Sequence, residues 1–145
     1  VMRISGSYEF DAPVAKVWAA LTDPKSLSGC IQGCESLDSV GENQYTAVMN
    51  VGVGPIRGKY NANVAMANLS PHQSFRLSVQ GEGAMGFVDG HADITLEESQ
   101  GKTTVRVYAD SQVGGAVARV GQRLMETVAK TMMDQFFNCM RRSVS

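Results

Sequence analysis

Cys30 and Cys34, in the stretch GCIQGCESL at residues 29–37, are the first side chains whose type and spacing suggest chemistry. Two thiols on one loop can hold a metal or cycle between dithiol and disulfide. Their spacing is C-x3-C rather than the C-x-x-C of zinc ribbons and thioredoxin-like sites, and Cys139 alone remains to complete a ligand set, so structural zinc is not expected. Three cysteines and a start, VMRISGSYEF, without the apolar core of a signal peptide argue against a disulfide framework. Two thiols on this loop can bridge on oxidation, but packing and backbone geometry are the expected reasons for the stretch. Asp89, His91 and Asp93 alternate in a pattern that can hold a cation, but a solvated strand face has the same pattern, and His72 is the one other histidine. Gly81–Gly86, GEGAMG, matches the dinucleotide fingerprint G-x-G-x-x-G, which needs a helix directly after it to receive the pyrophosphate. The next residues, FVDGHADITL, alternate like a strand, so nucleotide binding is not expected. Neither a Gly-x-Ser-x-Gly elbow nor His-Glu-x-x-His occurs, and these readings assign no catalytic residue and no metal site.

The elements that carry these residues belong to one domain spanning residues 1–145. With 13 basic and 14 acidic residues and no run of like charge, nothing favours a phosphate backbone as partner. No apolar run reaches the roughly 20 residues that cross a bilayer, which sets the expectation of a soluble, cytoplasmic protein; Val1 ahead of Met2 reads as an appended residue. Ile4, Gly6, Tyr8 and Phe10 share one face of a half-buried strand. Val14, Val17, Trp18 and Leu21 then recur at helical spacing, with Pro13 suited to the first turn and Asp23-Pro24 ending the helix, and PKSLSGC can add another turn or two.

From residue 35 to 113 the chain alternates with period two. Tyr45, Ala47, Met49, Val51 and Val53 share a face, as do Ile56, Gly58, Tyr60, Ala62, Val64 and Met66, then Phe75, Leu77 and Val79. Val88, Gly90, Ala92, Ile94 and Leu96 continue the pattern, followed by Val105, Val107, Ala109, Ser111 and Val113. Short connections make this an antiparallel meander. After Gly114-Gly115 the spacing of Val117, Val120, Leu124, Val128, Met132 and Phe136 predicts one helix over residues 116–143, about 40 Å long. The class is therefore α+β, with the helices on one face of the sheet.

The side chains assigned inward include no Asp, Glu, Lys, Arg or His, which counts against acid–base catalysis in the interior. Many are small, among them Gly58, Ala62, Gly90, Ala92 and Ala109, and they oppose a methionine-rich helix. Small residues under a helix either leave a cavity for an apolar ligand or let the helix pack closely; composition leaves both open.

Taken in order, GSYEFDAPVAKVWAALTDPKSLSGCIQGCESL, GVGPIRGKYNANV, GEGAMGFVDGHADITLEE and GGAVARVGQRLMETVAKTMMDQFF resemble the carbon monoxide dehydrogenase G-subunit family, within the START-like, helix-grip superfamily. The resemblance covers nearly the whole chain. It departs at Gln32, where the family's loop usually reads Cys-Ile-Pro-Gly-Cys, so the rigidity that proline gives this turn is lost. The resemblance implies a seven-stranded curved antiparallel sheet wrapped around a long C-terminal helix, with two short helices after strand 1 and an apolar cavity between sheet and helix. It also implies an accessory role for a molybdenum-containing carbon monoxide dehydrogenase, recruiting it to the membrane or handling quinone, rather than catalysis. Family members often continue into a membrane-engaging tail, and the sequence here stops at RRSVS.

The leading expectation is thus a non-enzymatic carrier of a long isoprenoid quinone, menaquinone or ubiquinone, or of another lipid. It would work at the inner face of the cell membrane with the dehydrogenase as partner. Its ligand wall would comprise Trp18, Leu27, Ile31, Met49, Tyr60, Met66, Met85, Phe87, Val120, Leu124, Met125, Val128 and Met132. In helix-grip proteins the loop GCIQGC forms one lip of the cavity, so Leu27 and Ile31 would cap the ligand while Gly29 and Gly33 let the lip move. The rivals are a ligand-free assembly or docking factor, and a cyclase- or hydrolase-type enzyme, which would need His91 or Asp89 to point inward.

Overall fold

The computed structural model describes residues 2–52 and 57–144. Val1, and Val53 and Ile56 with their expected strand faces, lie outside the described residues. The chain opens with β1 (Met2–Phe10) and two short helices, α1 (Val14–Leu21) and α2 (Pro24–Cys30). Then come β2 (Cys34–Gly41), β3 (Gln44–Val51), β4 (Gly58–Ser70), β5 (Ser74–Gly83), β6 (Gly86–Ser99) and β7 (Lys102–Gly114), before α3 (Gln122–Val144). The strands make one seven-stranded sheet in the order β1-β7-β6-β5-β4-β3-β2, every neighbouring pair antiparallel.

The order follows from the connections. Each strand from β2 to β7 pairs with the next in sequence, and β1 joins the far edge by pairing Met2 with Ser111 through Phe10 with Thr103. The helices lie against the concave face and bury the residues that period two and period 3.6 assign inward. Pro13 is the N-cap of α1 rather than a first-turn residue. The buried Thr103 hydroxyl donates to the Ala12 carbonyl at 2.8 Å, fixing the entry to α1 on β7. Asp23 caps α2 by accepting from the Lys25 N–H and the Ser26 hydroxyl, with Pro24 in the first turn.

The single helix expected over residues 116–143 is divided. Residues Gly115–Val120 form a 3-10 turn, Gly121 reverses at φ +99°, and α3 then runs 23 residues, about 34 Å. The break changes the phase of everything before it. Leu124, aligned by the unbroken period with Val117 and Val120, is 47% exposed, while Met125 is buried.

At one end the interior is tightly filled. Phe137 stacks on Tyr8 with ring centroids 4.2 Å apart and meets Phe10 edge-on, and Val17, Leu21, Val105 and Met140 are fully buried around them. The last turns of α3 reach α2 here, and Cys30 and Cys139 form a disulfide across a sequence separation of 109. This corrects the expectation that the cysteines form no disulfide framework, and the partner of Cys30 is Cys139 rather than its loop neighbour Cys34. Counting cysteines along the chain hides the pair, because only helix packing brings their Cα atoms to 5.4 Å. Cys34 stays a thiol, its sulfur on the Ser36 carbonyl, and burial pushes it above the ordinary thiol range.

Candidate functional site

Toward the other end, α3 and the sheet do not close on each other. A cavity of about 230 Å³ lies between Met125, Val128 and Met132 of α3 and the concave face. Met49 of β3, Tyr60 and Ala62 of β4, Gly81 of β5 and Val88 of β6 form its sheet wall. Met2, Val113 and Val117 close the side toward β1. Residue size explains why space appears here. The filled end carries Met66, Phe75, Ile94 and Leu96 on the same strands that present Ala62, Gly81 and Val88 to the cavity.

Ala62 and Gly81 are cross-strand partners, so this part of the wall holds a single methyl group. A Cβ built at Gly81 would rest 3.8 Å from the Ala62 Cβ, ordinary van der Waals contact, and Gly81 is not among the glycines with positive φ. Neither sterics nor backbone conformation requires glycine there; the consequence of having it is space.

Among the described residues around the cavity Tyr60 brings the one side-chain hydroxyl, and burial raises its pKa. Among the described residues no Asp, Glu, Lys, Arg or His lines it. An apolar, uncharged chamber favours uptake of apolar matter and disfavours any ion.

A polar cluster bridges β1 and α3. Tyr8 O–H donates to Asp134 Oδ1 at 2.6 Å, and Lys130 Nζ donates both to Tyr8 Oη at 3.2 Å and to Asp134 Oδ1 at 3.0 Å. Burial, then the Asp134 hydrogen bond, raises the Tyr8 pKa; the Tyr8 and Lys130 hydrogen bonds lower that of Asp134; the Asp134 bond raises that of Lys130. Sequence reasoning placed Tyr8 inward but did not find its partners, because Lys130 and Asp134 at i, i+4 look like any solvated helix pair.

Asp89, His91 and Asp93 face away from α3. The Asp93 carboxylate is taken by Arg76 in a two-pronged pair at 2.8 and 3.0 Å, whose hydrogen bonds hold it below the usual carboxylate range. Asp110 lies 3.2 Å from Arg3 and 3.9 Å from His91. Among the described residues no group of three potential ligands is placed to hold a metal.

The thirteen residues expected to form the ligand wall divide. Met49, Tyr60, Met125, Val128 and Met132 surround the cavity. The other eight lie elsewhere. Trp18, Leu27, Ile31 and Met66 belong to the filled end, where Trp18 meets Phe75 edge-on. Met85 and Val120 pack on the Met2, Val117 and Met125 cluster without lining the cavity. Phe87 and Leu124 point outward, 48% and 47% exposed: Phe87 is out of phase with Val88, and the Gly121 break rotates Leu124 away.

The GCIQGC loop is not a lip of this cavity. The disulfide at Cys30 ties it to the end of α3, and a Cβ at Gly33, φ +83°, would run into the Asn50 carbonyl, so that glycine permits a close contact rather than a moving loop. The residues that sequence reasoning missed, including Met2, Ala62, Gly81 and Val113, were legible as inward strand positions.

A family model described as the carbon monoxide dehydrogenase G subunit (CoxG) matches residues 6–145. Solved structures share the fold. A conserved protein from Geobacillus kaustophilus is 35% identical, with 99% of this chain and 95% of that chain covered and a TM-score of 0.96. A START superfamily protein from Mycobacterium smegmatis is 8% identical over 99% of this chain and 97% of that one, TM-score 0.78. A protein from Chromobacterium violaceum is 15% identical over 98% and 96%, TM-score 0.76. No curated protein matches the sequence. The fold is START-like: a curved seven-stranded antiparallel sheet, two short helices after β1 and a long C-terminal helix.

Proposed function

Because the chain belongs to the CoxG family of carbon monoxide dehydrogenase proteins, we propose that it is a non-catalytic accessory protein of a molybdenum-containing carbon monoxide dehydrogenase, and that it carries an isoprenoid quinone, menaquinone or ubiquinone. It would take up the quinone at the membrane and present it to the enzyme. The observation that carries this reading is the uncharged cavity between α3 and the sheet.

Its volume, about 230 Å³, is below the 300–1,000 Å³ of typical small-molecule sites, so it suits one end of a long amphiphile and leaves the remainder outside. Membrane contact on this reading is peripheral, since no helix among the described residues is long and apolar enough to cross a bilayer. Against the enzyme reading stands the position of Asp89 and His91 on the outer face rather than in the cavity, His91 lying 3.9 Å from Asp110.

Native mass spectrometry of the purified protein with and without added menaquinone tests the proposal. A stoichiometric quinone complex supports it. Protein that is empty as isolated and takes up neither menaquinone nor ubiquinone refutes the carrier and leaves the ligand-free docking factor, for which dehydrogenase pull-down would proceed regardless of quinone.

A further inference from the structure

Beside the apolar cavity lies a cleft of about 360 Å³, set between the end of β7, the break at Gly121 and the first turn of α3. Ser111, Gln112 and Gln122 line it, and Met2, Val113 and Met125 are common to the cleft and the cavity. Those three residues border both spaces. Two of them are methionines, whose unbranched thioether chains change rotamer at low cost.

We propose that cleft and cavity are two compartments of one site for an uncharged amphiphile, its apolar body in the cavity and a neutral, hydrogen-bonding head in the cleft. The inference rests on the reading that the cavity takes an apolar ligand, and adds the ligand's orientation and the chemistry of its head. The two linings differ in the way such a ligand requires. The cavity offers methionine, valine, alanine and one tyrosine, whereas the cleft offers the Ser111 hydroxyl and the Gln122 carboxamide, each able to donate and to accept.

Among the described residues no Asp, Glu, Lys, Arg or His lines either compartment, so a carbonyl, ether or hydroxyl head finds partners there and an ionic head finds no counter-charge in the lining. Gln122 Nε2 donates to Glu126 Oε1 at 3.1 Å, which steadies the amide. Together the two volumes fall within the range of sites that enclose drug-sized ligands, which the cavity alone does not reach.

The test is competition for the neutral fluorophore N-phenyl-1-naphthylamine by four ten-carbon compounds: decane, 2-decanone, decanoate and decylammonium. It uses the full chain and the double variant Ser111→Ala/Gln122→Leu, with circular dichroism confirming that the variant folds. The unaltered protein should bind 2-decanone at least fivefold more tightly than either ion. The variant should lose about threefold to tenfold for 2-decanone, the factor carried by one neutral hydrogen bond, while decane stays within twofold. If the variant weakens decane and 2-decanone alike, or neither, the cleft is not part of the site, although an apolar carrier still stands. Preference for decanoate or decylammonium overturns the uncharged head. If neither the fluorophore nor any of the four compounds binds, this inference and the carrier reading fall together.

Discussion

Gly81→Leu tests whether the space under α3 is there for a ligand. The new Cβ would sit 3.8 Å from the Ala62 Cβ and 3.9 Å from the Asn61 carbonyl oxygen, so the side chain enters without displacing backbone. Leucine adds four carbons, which at roughly 30 Å³ for each water-sized volume occupy about half of a cavity of about 230 Å³. Filling an apolar void with a packed leucine contributes on the order of 1.5–3 kcal/mol, and replacing a strand glycine removes unfolded-state freedom as well. Unfolding in urea should therefore show a midpoint equal to or above that of the unaltered protein.

Ligand uptake should move the opposite way. Excluding about four ligand carbons at roughly 0.8 kcal/mol each raises the Kd of an apolar ligand about 100-fold or more. Titration with a short-chain ubiquinone, followed by its absorbance on gel-filtered protein, reads that change. A variant destabilised by more than about 1 kcal/mol would mean that the space is not available to a side chain. A stable variant with unchanged uptake would mean that quinone binds elsewhere.

Other consequences of the structure are as direct. Cys30→Ser or Cys139→Ser opens a loop closed over 109 residues and should cost about 3–5 kcal/mol in chemical denaturation, an effect reproduced by reductant, whereas Cys34→Ser should be close to neutral. Met125→Glu places a charge where the native side chain is 5% exposed and should cost about 3 kcal/mol or more, while Leu124→Glu, at a position 47% exposed, should stay within about 0.5 kcal/mol in thermal melts. The Asp134 carboxyl titrates below its ordinary value in the folded state, so its contribution is present above about pH 4 and is lost as pH falls through the lowered folded value. Because Asp134 is half-exposed, that contribution is about 1 kcal/mol, and Asp134→Asn should flatten the acid limb of a stability–pH profile by this amount.

Most of the architecture could be read from periodicity because local pattern and burial agree along the strands. The inward phases of β3, β6 and β7 needed no tertiary knowledge: Tyr45 and Ala47, Ile94 and Leu96, Val105 and Val107 are buried as their alternation requires. Failure began where one residue overrides a pattern. Val117 to Phe136 reads as one helix, and only the φ of Gly121 reveals that the register restarts there, turning Leu124 outward and Met125 inward. The disulfide failed for a different reason: cysteines 109 residues apart have no shared local signal, and their meeting is a property of how α2 and α3 pack.

The same distinction explains why five of thirteen expected wall residues surround the cavity. Large apolar side chains are the common material of a filled core and of a binding wall, so size and hydropathy point to both without separating them. Trp18, Leu27 and Met66 fill the closed end because bulky partners from opposite strands and helices meet there. The cavity exists where such partners are withheld, at Ala62 and Gly81, and it is the pairing of two small residues across neighbouring strands, not either residue alone, that leaves a gap a helix cannot close. A binding chamber in this fold is therefore best sought in cross-strand pairs of small inward residues opposite flexible methionines, and only then in the large side chains around it.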